Sequence, residues 1–382
     1  MKRVYLDNAA TTPLDPSVIQ EMTNVMENFY GNPSAIHALG REVRTLVEKA
    51  RKTVAGLLNA SPSEIFFTSG GTEADNTAIR CGIAAYGIKH AITSKIEHHA
   101  VEHTLNMLLK DGVVNKLSFV NIDSKGNVDY DHLEELLKTN ERSFVSLMHA
   151  NNELGTLTDM EKVGDLCEKY DAIYHADTVQ TMGHYIHDVR KLKIHFLVCA
   201  AHKLHGPKGV GFLYVNSNIK IPPMIYGGAQ ERNMRGGTEN VYGIVGLAKA
   251  LEIAYAEMES HQQHIQGLKD YLQAQLTAEI PGIAFNGETD PSKSLYTVLN
   301  VSFPEMDMAD MLLFNLDING ICASGGSACS SGSNIGSHVL NGIKADPNRP
   351  AVRFSFSKYT TKEDLDYVIE KVKMVVKQNT LA

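Results

Sequence analysis

Short apolar runs rich in β-branched and aromatic residues recur between Glu64 and Val215, reading EIFFTS, HAITS, LSFVNI, FVSLMH, AIYHAD, FLVCAA and VGFLYV. Several are apolar at consecutive rather than alternate positions, as strands covered by helices on both faces are. The segments between them, Glu73 to Tyr86, Val101 to Lys110, Tyr130 to Lys138 and Met160 to Tyr170, carry helical spacing. Strand–helix alternation over this length predicts a large α/β domain around a doubly wound, mostly parallel sheet. A helical stretch from Val241 to about Glu279 follows. GIAFNG, VLNVSF and VRFSFS then read as strands of a smaller sheet, closed by a helix from Thr361 to Lys377. A smaller α+β domain is expected there, with the boundary inside the helical region near Tyr255. There is no internal repeat.

A length of 382 residues suits this two-domain reading, and 43 % apolar with 21 % charged residues is ordinary for a soluble globular chain. Thirty-six basic residues stand against 44 acidic ones, a net charge of −8 with no Lys/Arg-dense run. That argues against nucleic acid or an anionic membrane surface as a partner. No apolar stretch is long enough to span a bilayer, and no apolar run follows the basic pair at the N-terminus. The five cysteines, Cys81, Cys167, Cys199, Cys322 and Cys329, form no CxxC pair and are odd in number, which fits free thiols in a reducing, cytoplasmic setting. Ser324 to Ser337, SGGSACSSGSNIGS, is mostly Ser and Gly and is expected to be a mobile loop with a single cysteine in its middle.

Several motifs carry candidate chemistry. In FLVCAAHKLHGPKGVG an apolar run ends at His202-Lys203 and breaks into a Gly/Pro-rich turn. A lysine at the C-terminal edge of a strand sits where α/β enzymes place ligands, and it can bond an aldehyde cofactor; a solvated turn lysine is the alternative. Asp177 ends the AIYHAD run, placed either to pair with a cofactor ring nitrogen or to cap a turn. FFTSGGTEADN offers a Gly-Gly turn, Thr72 and a helix start, which suits a phosphate but equally a plain N-cap. A second Gly-Gly-Thr ends at Thr238. His99 and His103 have a metal-like spacing of four, yet no HExxH pattern and no evident third ligand accompany them, so no metal is expected. An imidazole at the end of the HAITS strand, His98, could stack on a cofactor ring; plain surface polarity is the alternative.

Taken together and in this order, YLDNAATTP, GNPSAIH, FTSGGTEADN, TSKIEHHAV, MHANNELGT, HADTVQ, AHKLHGPKGVG, MRGGTENV, GGSACSS and VRFSFSKYTT resemble the NifS/IscS type of cysteine desulfurase, a class V, aminotransferase-like pyridoxal-phosphate family. The resemblance spans nearly the whole chain. It implies a fold-type I architecture: a large domain (15–254) around a mostly parallel seven-stranded sheet, and a smaller α+β domain (1–14 and 255–382) carrying the Cys329 loop. It implies pyridoxal 5'-phosphate as cofactor and L-cysteine as substrate. Lys203 would bond the cofactor, His98 would stack on its ring, Asp177 would pair with the ring nitrogen, and Gln180 would contact the ring hydroxyl. Gly71, Thr72 and His202 would hold the phosphate, with Thr238 reaching the phosphate of the other subunit in a homodimer with shared active sites. Asn152 and Arg353 would fix the substrate carboxylate. Cys329 would take the sulfur as a persulfide and hand it to an acceptor such as an iron–sulfur scaffold protein, with His98 a candidate proton acceptor.

Two departures stand out. Many family members carry a phosphate-binding serine where this chain has Ala200, and IscS-like members carry a longer C-terminal tail that helps dock the scaffold. The rival enzyme reading, a class V aminotransferase or lyase, would keep Lys203, Asp177 and Thr72 without needing Cys329. A partner-binding protein without activity would have lost one of Lys203, Asp177, His98, Arg353 or Cys329, and all five are present. Cys322 reads as a strand cysteine rather than a relay thiol.

Overall fold

The computed structural model describes residues 2–138, 142–306, 309–325 and 336–379. Cys329 lies outside the described residues. The chain opens with a short strand, β1 (Val4–Tyr5), and two helices, α1 (Pro16–Asn28) and α2 (Ala38–Leu57). Asp15 caps α1 by accepting from Ser17 N at 2.8 Å, with Pro16 in the first turn, where its missing N–H costs nothing.

All seven expected strands of the large sheet form: β2 (Ile65–Thr68), β3 (His90–Thr93), β4 (Lys116–Phe119), β5 (Ser143–Ser146), β6 (Ile173–Asp177), β7 (Phe196–Ala200) and β8 (Gly211–Val215). They lie in the order β2-β8-β7-β6-β5-β3-β4. The pairings from β7 through β4 are parallel, while β8 runs antiparallel to both its neighbours. The crossovers include α3 (Gly71–Tyr86), α4 (His99–Lys110), α5 (Tyr130–Lys138) and α6 (Met160–Lys169), each within two residues of its expected bounds. Strands β5, β6, β7 and β8 are buried at every position, as the unbroken apolar runs of β7 and β8 require, while β5 and β6 also bury Ser143, Ser146, His175 and Asp177. The FVSLMH run outlasts β5 because Leu147 and Met148 leave the sheet, Met148 to line the cleft described below.

Helix α7 (Val241–Ala256) packs on α1 and α2, then breaks at Glu257 into α8 (Met258–Glu279). A second apolar core follows, built on the antiparallel sheet β12-β10-β9, with β9 (Ala284–Asn286), β10 (Val298–Ser302) and β12 (Ala351–Ser355). Helices α9 (Leu312–Ile318), α10 (His338–Gly342) and α11 (Lys362–Asn379) and strand β11 (Ile321–Cys322) complete the smaller α+β domain. β11 pairs in parallel with β1, and Val4 and Leu6 are buried in this second core, so the N-terminal segment joins the far end of the chain. Among the described residues no helix is long and apolar enough to cross a membrane.

Buried imidazoles tie the large sheet together. His90 bridges Ser143 Oγ (2.9 Å) and Ser118 Oγ (2.8 Å), linking three strands, and His175 meets Ser146 Oγ at 2.8 Å. Burial depresses His90 to about 4 and His175 to about 3. Because these folded values lie below the unfolded value near 6.5, the unfolded chain binds more protons below that pH. Their contribution is complete above about pH 6.5 and is lost as pH falls toward 4. The melting temperature is expected to drop on going from pH 7 to pH 5, and calorimetry in matched buffers reads this directly.

Candidate active site

The parallel strands deliver their C-terminal ends to one edge of the sheet, where α/β proteins place ligands. A cleft of about 810 Å³, counting space open to solvent, lies there. It gathers Gly71 and Thr72 from the turn after β2, His98 from the loop after β3, and Asn152 from the loop after β5. Asp177 and Gln180 come from the end of β6, and His202 and Lys203 from the turn after β7. Arg353 reaches it from β12 in the smaller domain. Nine of the expected site residues therefore share one cleft; Thr238 does not, and Cys329 lies outside the described residues.

Lys203 ends a single 3-10 turn, Ala201–Lys203, that stops β7 and swings the side chain into the cleft. Its Nζ donates to Ala9 O at 2.6 Å and Ala10 O at 2.8 Å. The same N-terminal segment grips the turn from the other side: Thr12 donates through both N–H and Oγ1 to His202 O, each at 2.9 Å. Gln180 Nε2 also donates to Ala9 O, at 3.0 Å. Asp177 is 6 % exposed and accepts from Val179 N at 2.8 Å. Burial raises its pKa above the usual carboxylate range, against the opposing pull of His98 and Lys203. A buried carboxylate in that state is poised for a cationic N–H.

Between β2 and α3, Gly70 adopts φ +149°, which L side chains rarely reach, and lets the chain turn directly into the helix. A Cβ on Gly71 would lie 2.8 Å from Val179 Cγ2. The turn therefore packs tightly and presents the first N–H groups of α3, which have no intrahelical partner. The Ala200 Cβ stands 3.7 Å from the same point, so this position offers no hydroxyl.

His98 is the N-cap of α4: its Nδ1 accepts from Ala100 N at 3.1 Å. A backbone N–H can only donate, so the neutral ring carries its proton on Nε2. Burial lowers its pKa, with Asp177 opposing and Lys203, His99 and His338 adding to the drop. As capped, His98 is a hydrogen-bond donor toward the cleft; a proton-accepting role would require the ring to leave its cap.

Arg353 is 1 % exposed. One terminal nitrogen donates to Asn152 O at 2.9 Å and the other to Asp7 Oδ1 at 2.8 Å. Its buried Nε has no hydrogen-bond partner among the described residues. Asn152 thus meets Arg353 through its main-chain carbonyl.

Thr238 lies in a separate pocket with Ser69, Arg235 and Gly237. The loop leading to it is held by Glu231, whose carboxylate takes Arg51 in a paired contact (2.7 and 2.8 Å) and Phe67 N at 2.8 Å. Three consecutive residues there, Glu231, Arg232 and Asn233, have φ of 45°, 57° and 68°. With both side chains of the ion pair buried, Glu231→Ala leaves Arg51 the half-exposed Glu48 and the Ile65 carbonyl as partners, and is expected to cost about 3 kcal/mol, the low end for breaking a buried pair, measured by denaturant unfolding.

Sequence reasoning assigned no role to Asp7, to the Ala9 and Ala10 carbonyls, to Asp75 or to His175. Asp75 Oδ1 and His175 Nε2 lie 3.3 Å apart, fully buried. Burial and the nearby carboxylates push Asp75 up while burial pushes His175 down to about 3, so both lean neutral beneath Asp177. Spacing carried the signal: Asp75 is four residues after Gly71 on a helix, and His175 is two before Asp177 on a strand.

A lysine after one strand, a buried aspartate ending its neighbour and a glycine-tight helix start after β2 share one sheet edge, the arrangement expected of a fold-type I pyridoxal-phosphate enzyme. The residues present fit that group: a buried carboxylate for a ring nitrogen, an amine for an aldehyde, and a helix N-terminus for a phosphate. The chain belongs to the Aminotransferase class-V family, which it matches over residues 4–368, and members of this family depend on pyridoxal phosphate. It is 42 % identical over 383 residues to "Cysteine desulfurase IscS" of Dictyoglomus turgidum, covering 99 % of this chain and 96 % of the relative. It is 40 % identical to "Putative cysteine desulfurase IscS 1" of Bacillus subtilis, over 100 % of both chains. Among solved structures, a "NIFS-LIKE PROTEIN" superposes with a TM-score of 0.91 at 37 % identity, covering 99 % of this chain and 100 % of the other. "SspA in complex with cysteine" superposes with a TM-score of 0.80 at 29 % identity, over 94 % and 100 % of the two chains.

Proposed function

We propose that this protein is a cysteine desulfurase that converts L-cysteine to L-alanine and passes the sulfur through Cys329, as a persulfide, to an acceptor protein. The observation that supports it best is one cleft holding an amine, a buried carboxylate and a buried guanidinium with a spare N–H. Bound pyridoxal phosphate supplies the electron sink that makes the Cα–H of an amino acid acidic. Lys203 would hold the cofactor, Asp177 would keep its ring nitrogen protonated, and His98 would stack on the ring with Gln180 at the ring hydroxyl. Gly71, Thr72 and His202 would hold the phosphate, with the α3 N–H groups in place of the absent serine hydroxyl.

Arg353 and Asn152 would fix the substrate carboxylate, the spare Nε adding a charge-assisted hydrogen bond. Lys203 Nζ then takes the Cα proton. Cys329 attacks the substrate sulfur as the thiolate; the carbon–sulfur bond breaks and a sulfur–sulfur bond forms. Cysteine and one enzyme thiol thus become alanine and one enzyme persulfide, with no outside oxidant. Returning the persulfide to a thiol takes a reductant or an acceptor.

The further reading is a cytoplasmic homodimer with domains at 15–254 and at 1–14 plus 255–382, in which Thr238 serves the cleft of the second copy. Its place outside its own chain's cleft favours this. Iron–sulfur assembly is the expected destination of the sulfur.

The test is product stoichiometry: L-cysteine with a thiol reductant is expected to give alanine and sulfide in equal amounts. Arg353→Ala is expected to raise KM about 10- to 100-fold, the scale of one charged hydrogen bond. Alanine without sulfide, or an amino-group acceptor requirement, would overturn the reading in favour of an aminotransferase.

A further inference from the structure

His99, the residue after His98, begins a second cluster of donors. Its Nδ1 lies 3.2 Å from Glu102 Oε2, one turn along α4. His338 opens α10 and sets its ring against that of His99, centroids 4.3 Å apart, with Nε2 4.0 Å from the same Glu102 oxygen. One ring nitrogen from each histidine and one oxygen of Glu102 all lie within 4.8 Å of one another, and all three residues are half-buried. The His99–His103 spacing alone had no third ligand; α10 brings one from far along the chain.

The cluster is also anchored. Val339 and Ile343 bury against Ile96 and Leu154, which fixes α10 beside the loop that leads into α4. Ser337 caps α10 through Leu340 N at 3.1 Å and donates to Glu153 Oε2 at 2.5 Å. His103 stacks on His99, centroids 4.7 Å apart, and supports its ring plane.

We propose that His99, Glu102 and His338 bind a divalent transition cation of the Zn²⁺ class, which clasps α10 to the first turn of α4. Two imidazoles and one carboxylate suit such an ion, whereas Ca²⁺ and Mg²⁺ favour oxygen donors throughout. Ligand atoms about 2.1 Å from a tetrahedral metal stand about 3.4 Å apart. The His99–Glu102 pair already has this separation. His338 must close by roughly half an ångström and exchange its 2.9 Å hydrogen bond to Glu97 O for the metal. Three protein ligands leave a fourth position to solvent, as in open sites. Occupancy would pin the start of α4, where His98 is held as its cap beside the cleft.

The test is a titration of the metal-stripped holoenzyme with Zn²⁺ in the absence of L-cysteine, with thermal melting alongside. A Cys329→Ser background removes the loop thiol as a competing ligand. The expected result is one Zn²⁺ per chain in both backgrounds and a raised melting temperature, with Co²⁺ giving the visible absorption of a tetrahedral site. His99→Gln, Glu102→Gln and His338→Gln are each expected to weaken binding about 100-fold or more, beyond what losing a supporting group costs. The proposal is overturned if wild type takes up no stoichiometric Zn²⁺ or if binding disappears with Cys329→Ser. It is equally overturned if a histidine variant that melts like the metal-free wild type binds Zn²⁺ unchanged. Since the readout is metal binding, it stands or falls apart from desulfurase activity.

Discussion

Lys203→Ala is expected to lower alanine and sulfide production by about 10⁴-fold or more and to abolish the visible absorbance of lysine-bound cofactor. The reason lies in the inventory of the cleft. Among the described residues lining it, the cations are Lys203 and Arg353. Arginine stays protonated and serves neither as nucleophile nor as base, so under the proposed roles the loss of Lys203 would remove both the covalent anchor and the proton acceptor for Cα. The fold should survive, because Lys203 contributes two hydrogen bonds to the Ala9 and Ala10 carbonyls, together about 1–3 kcal/mol. Activity and absorbance retained in Lys203→Ala, in protein with unchanged circular dichroism, would remove Lys203 from the chemistry.

The second large effect is expected from Cys329→Ala, which should cut sulfide release about 10³-fold or more while leaving cofactor binding intact. The other thiols are poor substitutes. Cys81, Cys167 and Cys199 are buried, and burial pushes each thiol up and away from the reactive thiolate. Cys322 is half-buried in β11, and burial, followed by Asp317, raises it too. None of them lines the cleft.

How much of this was legible beforehand differs by level. The buried strands were plain because both-face burial writes an unbroken apolar run, as in FLVCA of β7, fully buried from Phe196 to Ala200. Lys203, Asp177 and Thr72 were findable because each lies at, or within four residues of, the C-terminal end of a strand. The covering of Lys203 by the Ala9 and Ala10 carbonyls was not, since a main-chain acceptor leaves no mark in residue type. Nor was the Asp7–Arg353 pair, whose partners are brought together by the pairing of β1 with β11 and of the Leu6–Ala9 segment with Ser355. Local pattern cannot report a contact between chain ends. The His98 cap shows a further limit: the sequence suggested an imidazole near the cofactor, but which nitrogen is committed depends on the helix that starts at His99. The same holds for His338, whose approach to His99 arises from α10 packing on Ile96 and Leu154.

The most direct measurement is the intact mass of the holoenzyme after one exposure to L-cysteine without reductant, for wild type and for Cys329→Ala. The wild-type chain is expected to gain the mass of one sulfur atom as alanine appears, and Cys329→Ala to gain nothing. Alanine formation with no mass gain in wild type, or the same gain in Cys329→Ala, would contradict transfer of sulfur to Cys329.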